Sequence, residues 1–219
     1  MKFSRKFKDV GITGSFTRWY DKNTREHRIG EMQEYAKEVK KYLSDNANVL
    51  EVAPGPGYFS IELAKMGNYT ITGMDISADF VKIGKINAQR EEVNVNFVQG
   101  NVSAMPFEDN TCDFIFCSAA FKNFKEPVRA LHEMYRVLKN DGICLIVDMN
   151  RNASKQALAE EAKKTSKPGL ERWFQKTTFK NLCKTAYSKN ELVDMIRQTS
   201  YGRYEIKESG IGFYIFLYK

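Results

Sequence analysis

Short apolar runs alternate with amphipathic segments through the middle of the chain. Runs with the composition of buried or half-buried strands lie at residues 49–52, 69–74, 93–98, 112–118 and 143–149. Segments with apolar residues at helical spacing lie at residues 31–43, 58–66, 78–90 and 127–138. An order of strand, helix and strand predicts a parallel sheet with helices on both faces.

The end of the chain departs from this order. Ser188 is a good N-cap for a helix, and two strand-like runs at 204–208 and 211–218 are joined by Ser209 and Gly210. Such a short connection predicts an antiparallel hairpin at the edge of the sheet. The predicted fold is α/β, a three-layer α/β/α sandwich with a Rossmann-like, mostly parallel seven-stranded sheet whose last strand is antiparallel.

The length of 219 residues fits a single domain with a substantial apolar core. We divide this domain, residues 1–219, into four parts. They are an N-terminal helical cap at 1–45, a ligand-binding core at 45–150, a basic lid insertion at 151–186, and a C-terminal helix and hairpin at 187–219. Insertions between a strand and the next helix often cover the site at the strand ends of α/β enzymes, which is why the third part is predicted to be a lid.

Composition limits the compartment and the partners that we predict for the protein. No apolar run approaches the ~20 residues that span a bilayer, and the basic start at residues 1–8 is not followed by an apolar signal core. These features predict a cytoplasmic protein without a membrane partner. The four cysteines form no CxxC pair, so we predict neither a disulfide framework nor a metal site. The net charge of +7 could attract nucleic acid, an acidic substrate or a membrane surface, and solvated lysines explain it equally well.

A glycine-rich turn, VLEVAPGPGYFS at residues 49–60, connects the first predicted strand to a helix. Glycines at such a turn let backbone N–H groups approach a ligand, and the helix that follows offers its N-terminus. A tight connection without a ligand is the alternative. The second strand ends at Asp75, whose carboxylate could accept hydrogen bonds from both hydroxyls of a ribose or could cap the next helix.

Two kinds of nucleoside ligand compete for this turn. A nicotinamide dinucleotide favours GxGxxG, but the third glycine position after Gly55 and Gly57 is Ser60. Glu51, inside the strand, would repel a pyrophosphate, whereas it suits a ligand that carries an ammonium group and a sulfonium. After the third strand, Asn101 could accept from the exocyclic amine of adenine through its amide oxygen, or could be an ordinary loop residue.

Four segments carry a family resemblance. They are VLEVAPGPG, TGMDIS, FVQGNVSAMPFEDNTCDFIFCS and EPVRALHEMYRVLKNDGICLIVD. Together they resemble the class I S-adenosylmethionine-dependent methyltransferases, in particular the small-molecule type with a methyltransferase-11-like core. The resemblance covers about residues 45–150. It implies that the chain binds S-adenosyl-L-methionine, transfers its methyl group to a small-molecule acceptor by in-line displacement, and releases S-adenosyl-L-homocysteine.

The resemblance also assigns residues by their positions in these segments. The turn from Glu51 to Gly57 would pass the methionine part of the cofactor, with Ala53 where the family usually has its first glycine. The remaining positions are Gly55 in the same turn, Asp75 at the ribose, Ile76, Asn101 and Val102 at the adenine, and Ser118 at the start of the active-site loop. Tyr20 and Arg28 are further candidates for the methionine end, with a packing aromatic and a surface arginine as the alternatives.

No obvious general base follows the fourth strand. Many relatives carry a histidine near Lys122, whereas the histidines of this chain are His27 and His132. Methyl transfer from a sulfonium depends mainly on positioning, so a thiolate, a carboxylate or a neutral amine would need no base. For other acceptors, Tyr20 or Lys122 is the candidate catalytic residue.

Two alternative functions stay open at this stage. A nucleic-acid methyltransferase could use the basic insertion, with Trp173 and Phe174, as a stacking surface, but the loop SAAFKNF lacks the prolines of a (D/N)PPY motif. A protein that binds S-adenosylmethionine without transferring its methyl group would explain the missing histidine. The acceptor, the methylated atom and the oligomeric state are not predicted.

Overall fold

The computed structural model describes residues 11–165 and 168–219, so the basic start at residues 1–8 lies outside the described part of the chain. The helices are α1 (Ser15–His27), α2 (Ile29–Lys40), α3 (Tyr58–Ala64), α4 (Ala78–Arg90), α5 (Pro127–Val137), α6 (Lys155–Thr165), α7 (Leu170–Thr185) and α8 (Lys189–Ile196). The strands are β1 (Asn48–Val52), β2 (Thr70–Asp75), β3 (Asn96–Gln99), β4 (Cys112–Ser118), β5 (Leu138–Met149), β6 (Arg203–Ser209) and β7 (Gly212–Tyr218).

The seven strands form one sheet in the order β3-β2-β1-β4-β5-β7-β6. β7 runs antiparallel to both of its neighbours, while β1 to β5 pair in parallel. This arrangement confirms the predicted fold. The strand order reverses between β1 and β4, and in doubly wound sheets ligands bind beyond the carboxyl ends of the strands at such a switch point.

Alternate residues of the central strands enter two separate apolar layers. Leu50 and Val52 of β1 pack with α5 and α8 on one face, whereas Val49 packs with α2 and α3 on the other. Phe59 of α3 stacks on Phe116 of β4, with their ring centroids 3.9 Å apart. Burial on both faces explains why β4 and the second half of β5 are almost continuously apolar.

β5 begins earlier than the sequence predicted. The apolar spacing predicts a helix to residue 138 and a strand from residue 143, with Asn140, Asp141 and Gly142 as a helix stop between them. Instead, α5 ends at Val137 and the strand starts at the next residue. The register with β4 shifts between Cys112 and Phe114, and Asp141 adopts a φ of 65°. A bulge therefore absorbs the residues that looked like a helix stop.

The insertion after β5 consists of two helices, α6 and α7. The residues that precede α6 lie beside those that follow α7. Arg151 donates from its backbone N to the Tyr187 carbonyl at 3.1 Å and from Nε to the Ala186 carbonyl at 2.8 Å. The chain thus leaves and re-enters the body of the protein at one place. No helix within residues 11–165 and 168–219 is both long and apolar enough to cross a bilayer.

Candidate functional site

The turn after β1 adopts a left-handed backbone at three positions. The φ angles are 56° at Ala53, 55° at Gly55 and 81° at Gly57. Glycine takes this conformation without penalty, whereas the Cβ of an alanine makes it cost about 1–2 kcal/mol. Positive φ is what the turn requires at this position, so Ala53 has a cost there that glycine would not have. The turn is therefore strained at its first residue.

Glu51 is a buried acid one residue before the end of β1, 3% exposed. Its Oε2 atom accepts hydrogen bonds from the Ser60 backbone N at 3.2 Å and from the Ser60 hydroxyl at 2.5 Å. Burial raises the pKa of Glu51 to about 7, against the opposite effect of these two hydrogen bonds. A cationic group that came close would favour the ionised form of this carboxyl group.

Asp75 ends β2 beside the same turn. Its Oδ2 accepts from the Gly55 backbone N at 3.0 Å, and its Oδ1 accepts from the Ser77 backbone N at 2.8 Å. Burial raises the pKa of Asp75, while these N–H groups act to lower it. Each carboxylate oxygen has a second lone pair, so Asp75 can still accept from two hydroxyl groups.

Gly57 has a packing role in addition to the predicted ligand role. A Cβ at this position would lie 2.4 Å from the Phe97 ring, closer than any real contact allows. Gly73 and Gly84 approach the same ring, where added Cβ atoms would lie 2.7 and 2.9 Å away. Three glycines from three elements therefore make room for one buried phenylalanine of β3.

Helix α1 lies across the turn and brings Tyr20 to it. A Cβ added to Gly55 would lie 3.8 Å from Tyr20 Cε1, and the Tyr20 ring meets Phe80 edge-on at 5.6 Å. Arg28 donates from Nη1 to the Tyr20 hydroxyl at 3.3 Å and from Nε to Glu31 at 2.7 Å. Within the described residues, these bonds use two of its five N–H donors. Tyr20 and Arg28 thus lie together beside the turn.

Asp21 is a contact residue that the sequence analysis missed. Its Oδ1 accepts from the Tyr58 hydroxyl at 2.8 Å and from the Asn87 amide at 2.9 Å. These bonds join α1 to α3 and α4. The only sequence signal was an acid next to Tyr20, which is too general to indicate either partner.

A short segment before α1 contacts the start of α4. The Ser77 hydroxyl donates to the Ile12 carbonyl, and the Gly14 backbone N donates to Asp79 at 2.8 Å. Ser77 also caps α4 by accepting from the Phe80 backbone N. The segment thus lies over the start of α4, two residues beyond Asp75.

Asn101 follows β3 close to Asp75, since the Gly100 backbone N donates to the Asp75 carbonyl at 3.0 Å. Its side-chain Oδ1 accepts from the Ser103 backbone N at 2.8 Å. A backbone N–H can only donate, so this bond fixes the oxygen there and turns the Nδ2 donors the other way. Val102 is buried. Ile76, the first residue after β2, is half-buried.

The loop after β4 is held by a buried ion pair. Lys122 Nζ lies 2.9 Å from Asp148 Oδ1, and the Lys122 backbone N donates to Asp148 Oδ2 at 2.9 Å. The same Nζ donates to the Ala119 carbonyl at 2.7 Å, and Ser118 ends the strand just before it. Sequence analysis overlooked Asp148, although an acid at the end of the apolar run ICLIVDM was a visible signal. The catalytic role of Lys122 stays a prediction.

The two histidines do not supply a base from the loop after β4. His27 is exposed at the end of α1, and His132 is exposed on α5. Within the described residues, no group of three or more His, Cys, Asp or Glu side chains could hold a metal ion. The strand ends therefore present two carboxylates, an ordered turn and a paired lysine, an arrangement suited to positioning a cationic nucleoside.

Comparison with known proteins places this arrangement in a family. Residues 50–146 match a family model described as a methyltransferase domain. This segment is a class I methyltransferase domain. It includes the turn after β1, Asp75, Asn101 and the loop after β4.

Curated relatives agree with this assignment. A demethylmenaquinone methyltransferase of Chlorobaculum tepidum is 29% identical over 148 residues, which are 66% of this chain and 60% of that protein. A ubiquinone/menaquinone biosynthesis C-methyltransferase, UbiE, of Pectobacterium atrosepticum is 34% identical over 51% of this chain and 46% of its own length. The chain therefore spans less than two thirds of these relatives.

The similarity to solved structures extends beyond residues 50–146. A solved structure from Methanococcus maripaludis, assigned to the S-adenosyl-L-methionine-dependent methyltransferases, covers 100% of this chain and 96% of its own. The TM-score is 0.73 and the sequence identity is 23%. The likeness in fold is thus not confined to residues 50–146.

Proposed function

We propose that the protein transfers the methyl group of S-adenosyl-L-methionine to a small-molecule acceptor. The observation that carries the proposal is the joint position of Glu51, Gly55 and Asp75 at the switch point of the sheet. A carboxyl group without a cationic partner suits the ammonium group of the methionine part, and a carboxylate with two free lone pairs suits a ribose.

The residues around these carboxylates fit the rest of the cofactor. Tyr20 would cover the methionine end, and the remaining donors of Arg28 would bind its carboxylate. Ile76, Asn101 and Val102 would surround the adenine. When bound, the cofactor supplies an activated methyl group on a sulfonium. The protein's own part is to bind it, exclude water and align the acceptor.

The acceptor side is defined by the loop after β4. Asp148 neutralises Lys122, and the Lys122 ammonium group donates to the Ala119 carbonyl. These bonds hold the loop in one conformation next to Ser118. An ammonium group held by a carboxylate and a carbonyl is a donor and not a base. This geometry favours an acceptor that is already nucleophilic, or one whose anion is stabilised by a nearby cation.

The names of the relatives suggest which acceptors to test first. These names refer to demethylmenaquinone and to ubiquinone or menaquinone biosynthesis, so we propose a quinone-type ring as the first candidate. Thiols, amines and phenols complete the panel. S-adenosyl-L-homocysteine formed in the presence of the purified chain is measured by mass spectrometry. Product with at least one acceptor is expected.

Two other outcomes would replace this proposal. Binding of the cofactor without product from any acceptor would favour a protein that only binds S-adenosylmethionine. Product formed only with RNA would favour a nucleic-acid methyltransferase, with affinity that falls steeply as salt is raised. Lack of any cofactor binding would exclude all three functions.

A further inference from the structure

The α6–α7 insertion leaves three large apolar side chains in solvent. Leu170, Trp173 and Phe174 are 85%, 66% and 66% exposed, and we call them the apolar tip. They stand at positions i, i+3 and i+4 of α7, so they share one face of the helix. Cys183, on the opposite face, is buried. Soluble proteins rarely cluster such side chains on a surface without using it.

Basic side chains continue the same face of α7. The helix has four basic residues and one acidic residue. Lys180 and Lys184 are both exposed and stand seven and eleven residues after Trp173, on the face that carries the apolar tip. The exposed face of α7 is therefore apolar at its start and cationic towards its end.

A small cavity between α6 and α7 adds a second observation. Its volume is about 280 Å³, and it is lined by Ala159, Ala162, Lys163, Gly169, Arg172, Trp173 and Lys176. Three of the lining residues, Lys163, Arg172 and Lys176, are basic, so the cavity suits an anionic group.

We propose that the α6–α7 insertion docks on an anionic lipid bilayer, although the composition predicted no membrane partner. Trp173, Phe174 and Leu170 insert between the lipid chains, while the lysines of α7 face the phosphate groups. The cavity beside Trp173 accepts a lipid phosphate at Arg172. Leu170 favours this partner over single-stranded RNA, because the most exposed member of the apolar tip has no aromatic face on which a base can stack.

Docking would place the bilayer near the carboxyl ends of the strands, where the candidate site lies. The reason is that the α6–α7 insertion leaves and re-enters the body of the protein at the carboxyl end of β5. This inference does not rest on the proposed methyl transfer. Vesicle binding needs neither cofactor nor acceptor, so the two proposals can fail separately.

The test is co-sedimentation of the full chain with phosphatidylcholine vesicles, with and without phosphatidylserine. We expect partitioning onto the anionic vesicles only. The double variant Trp173→Ser/Phe174→Ser should lower the partition coefficient at least roughly tenfold, because two large apolar side chains no longer enter the bilayer. Lys180→Gln/Lys184→Gln should lower it roughly 30-fold through the loss of two charges near the surface.

Matched controls come from α4. Ile86 is a large apolar residue that is 62% exposed, and Lys82 and Lys85 are exposed lysines on the same helix. Ile86→Ser and Lys82→Gln/Lys85→Gln should leave the partition coefficient within about twofold of the native value, since α4 lies outside the α6–α7 insertion. Circular dichroism confirms that every variant is folded.

Several outcomes would overturn the proposal. Native protein that stays in the supernatant, or α4 controls that lose as much binding as the α7 variants, would show that no such docking surface exists. A dimer in sedimentation equilibrium that Trp173→Ser/Phe174→Ser abolishes would assign the apolar tip to a second copy of the chain. RNA binding that requires the same two residues and competes with vesicles would assign it to nucleic acid.

Discussion

The carboxylate of Asp148 binds Lys122 twice, through its ammonium group and through its backbone N–H, each at 2.9 Å. Both side chains are nearly inaccessible, 9% exposed for Lys122 and 6% for Asp148. The pair joins the end of β5 to the loop after β4. It therefore holds the loop after β4 against the end of β5.

Breaking this pair should destabilise the fold. Lys122→Met leaves the carboxylate of Asp148 buried without its cation, and we expect the free energy of unfolding to fall by about 3 kcal/mol. Lys139→Met is the control, because its partner Asp113 is 34% exposed and such pairs contribute about 1 kcal/mol or less. Urea unfolding measures both. Equal losses would show that the buried pair has no special weight.

Asp75 should be required for cofactor binding. Asp75→Asn keeps the shape of the side chain but removes its charge and replaces one acceptor of the Gly55 and Ser77 N–H groups by a donor. Binding of S-adenosyl-L-homocysteine should therefore weaken by about 1–3 kcal/mol in calorimetry. Asp113→Asn, at the start of β4 and the other edge of the sheet, should leave the affinity unchanged. Native affinity in the Asp75 variant would remove this residue from the proposed ribose site.

Asn101→Asp should strengthen binding of an adenine nucleoside. The bond from the Ser103 N–H holds the amide oxygen, so the native side chain turns donors towards the proposed base site. A carboxylate keeps the Ser103 bond and offers an acceptor to the adenine amine. Calorimetry with S-adenosyl-L-homocysteine should show an affinity about tenfold higher. The exposed Asn96→Asp is the control. A weaker complex would mean that Asn101 donates to a ring nitrogen instead.

Glu51 should make stability fall as pH rises from about 4.5 to about 7. An unfolded glutamate loses its proton near 4.5, whereas the folded pKa is about 7, so the folded state binds more protons in this window. The loss should reach about 3 kcal/mol and should vanish in Glu51→Gln. Denaturant unfolding across this pH range measures it. A hydrogen bond from Arg136 lowers the pKa of Glu133, so Glu133→Gln should remove a contribution of opposite sign.

Relief of backbone strain gives a further prediction. Ala119, like Ala53, has a left-handed backbone, with φ of 55°, whereas its neighbour Ala120 has φ of −118°. Ala119→Gly should raise the free energy of unfolding by about 0.5–1 kcal/mol, the strain removed less the entropy that glycine adds. Ala120→Gly should lower it by a similar amount. Thermal unfolding compares them, and loss of stability in both variants would contradict a strained Ala119.

The sequence predicted the sheet and the strand-end residues well, because periodicity fixes which residues are buried and where a strand stops. Glu51 and Asp75 could be named because parallel strands bring their carboxyl ends to one edge. The hydrogen bonds of Asp21 could not be predicted, since its partners Tyr58 and Asn87 are 37 and 66 residues away. The strain at Ala53 was also hidden, because an alanine does not reveal its φ angle.

The packing of Phe97 has a consequence for how this family would vary. Gly57, Gly73 and Gly84 each leave no space for a methyl group against the ring, so a larger residue at any of them calls for a smaller one at position 97. These four positions should therefore covary in homologous sequences. Gly84→Ala would report the loss of this packing, and Phe97→Leu is the substitution that should rescue it. At Gly57 the φ of 81° adds a backbone cost that a smaller residue at position 97 cannot relieve.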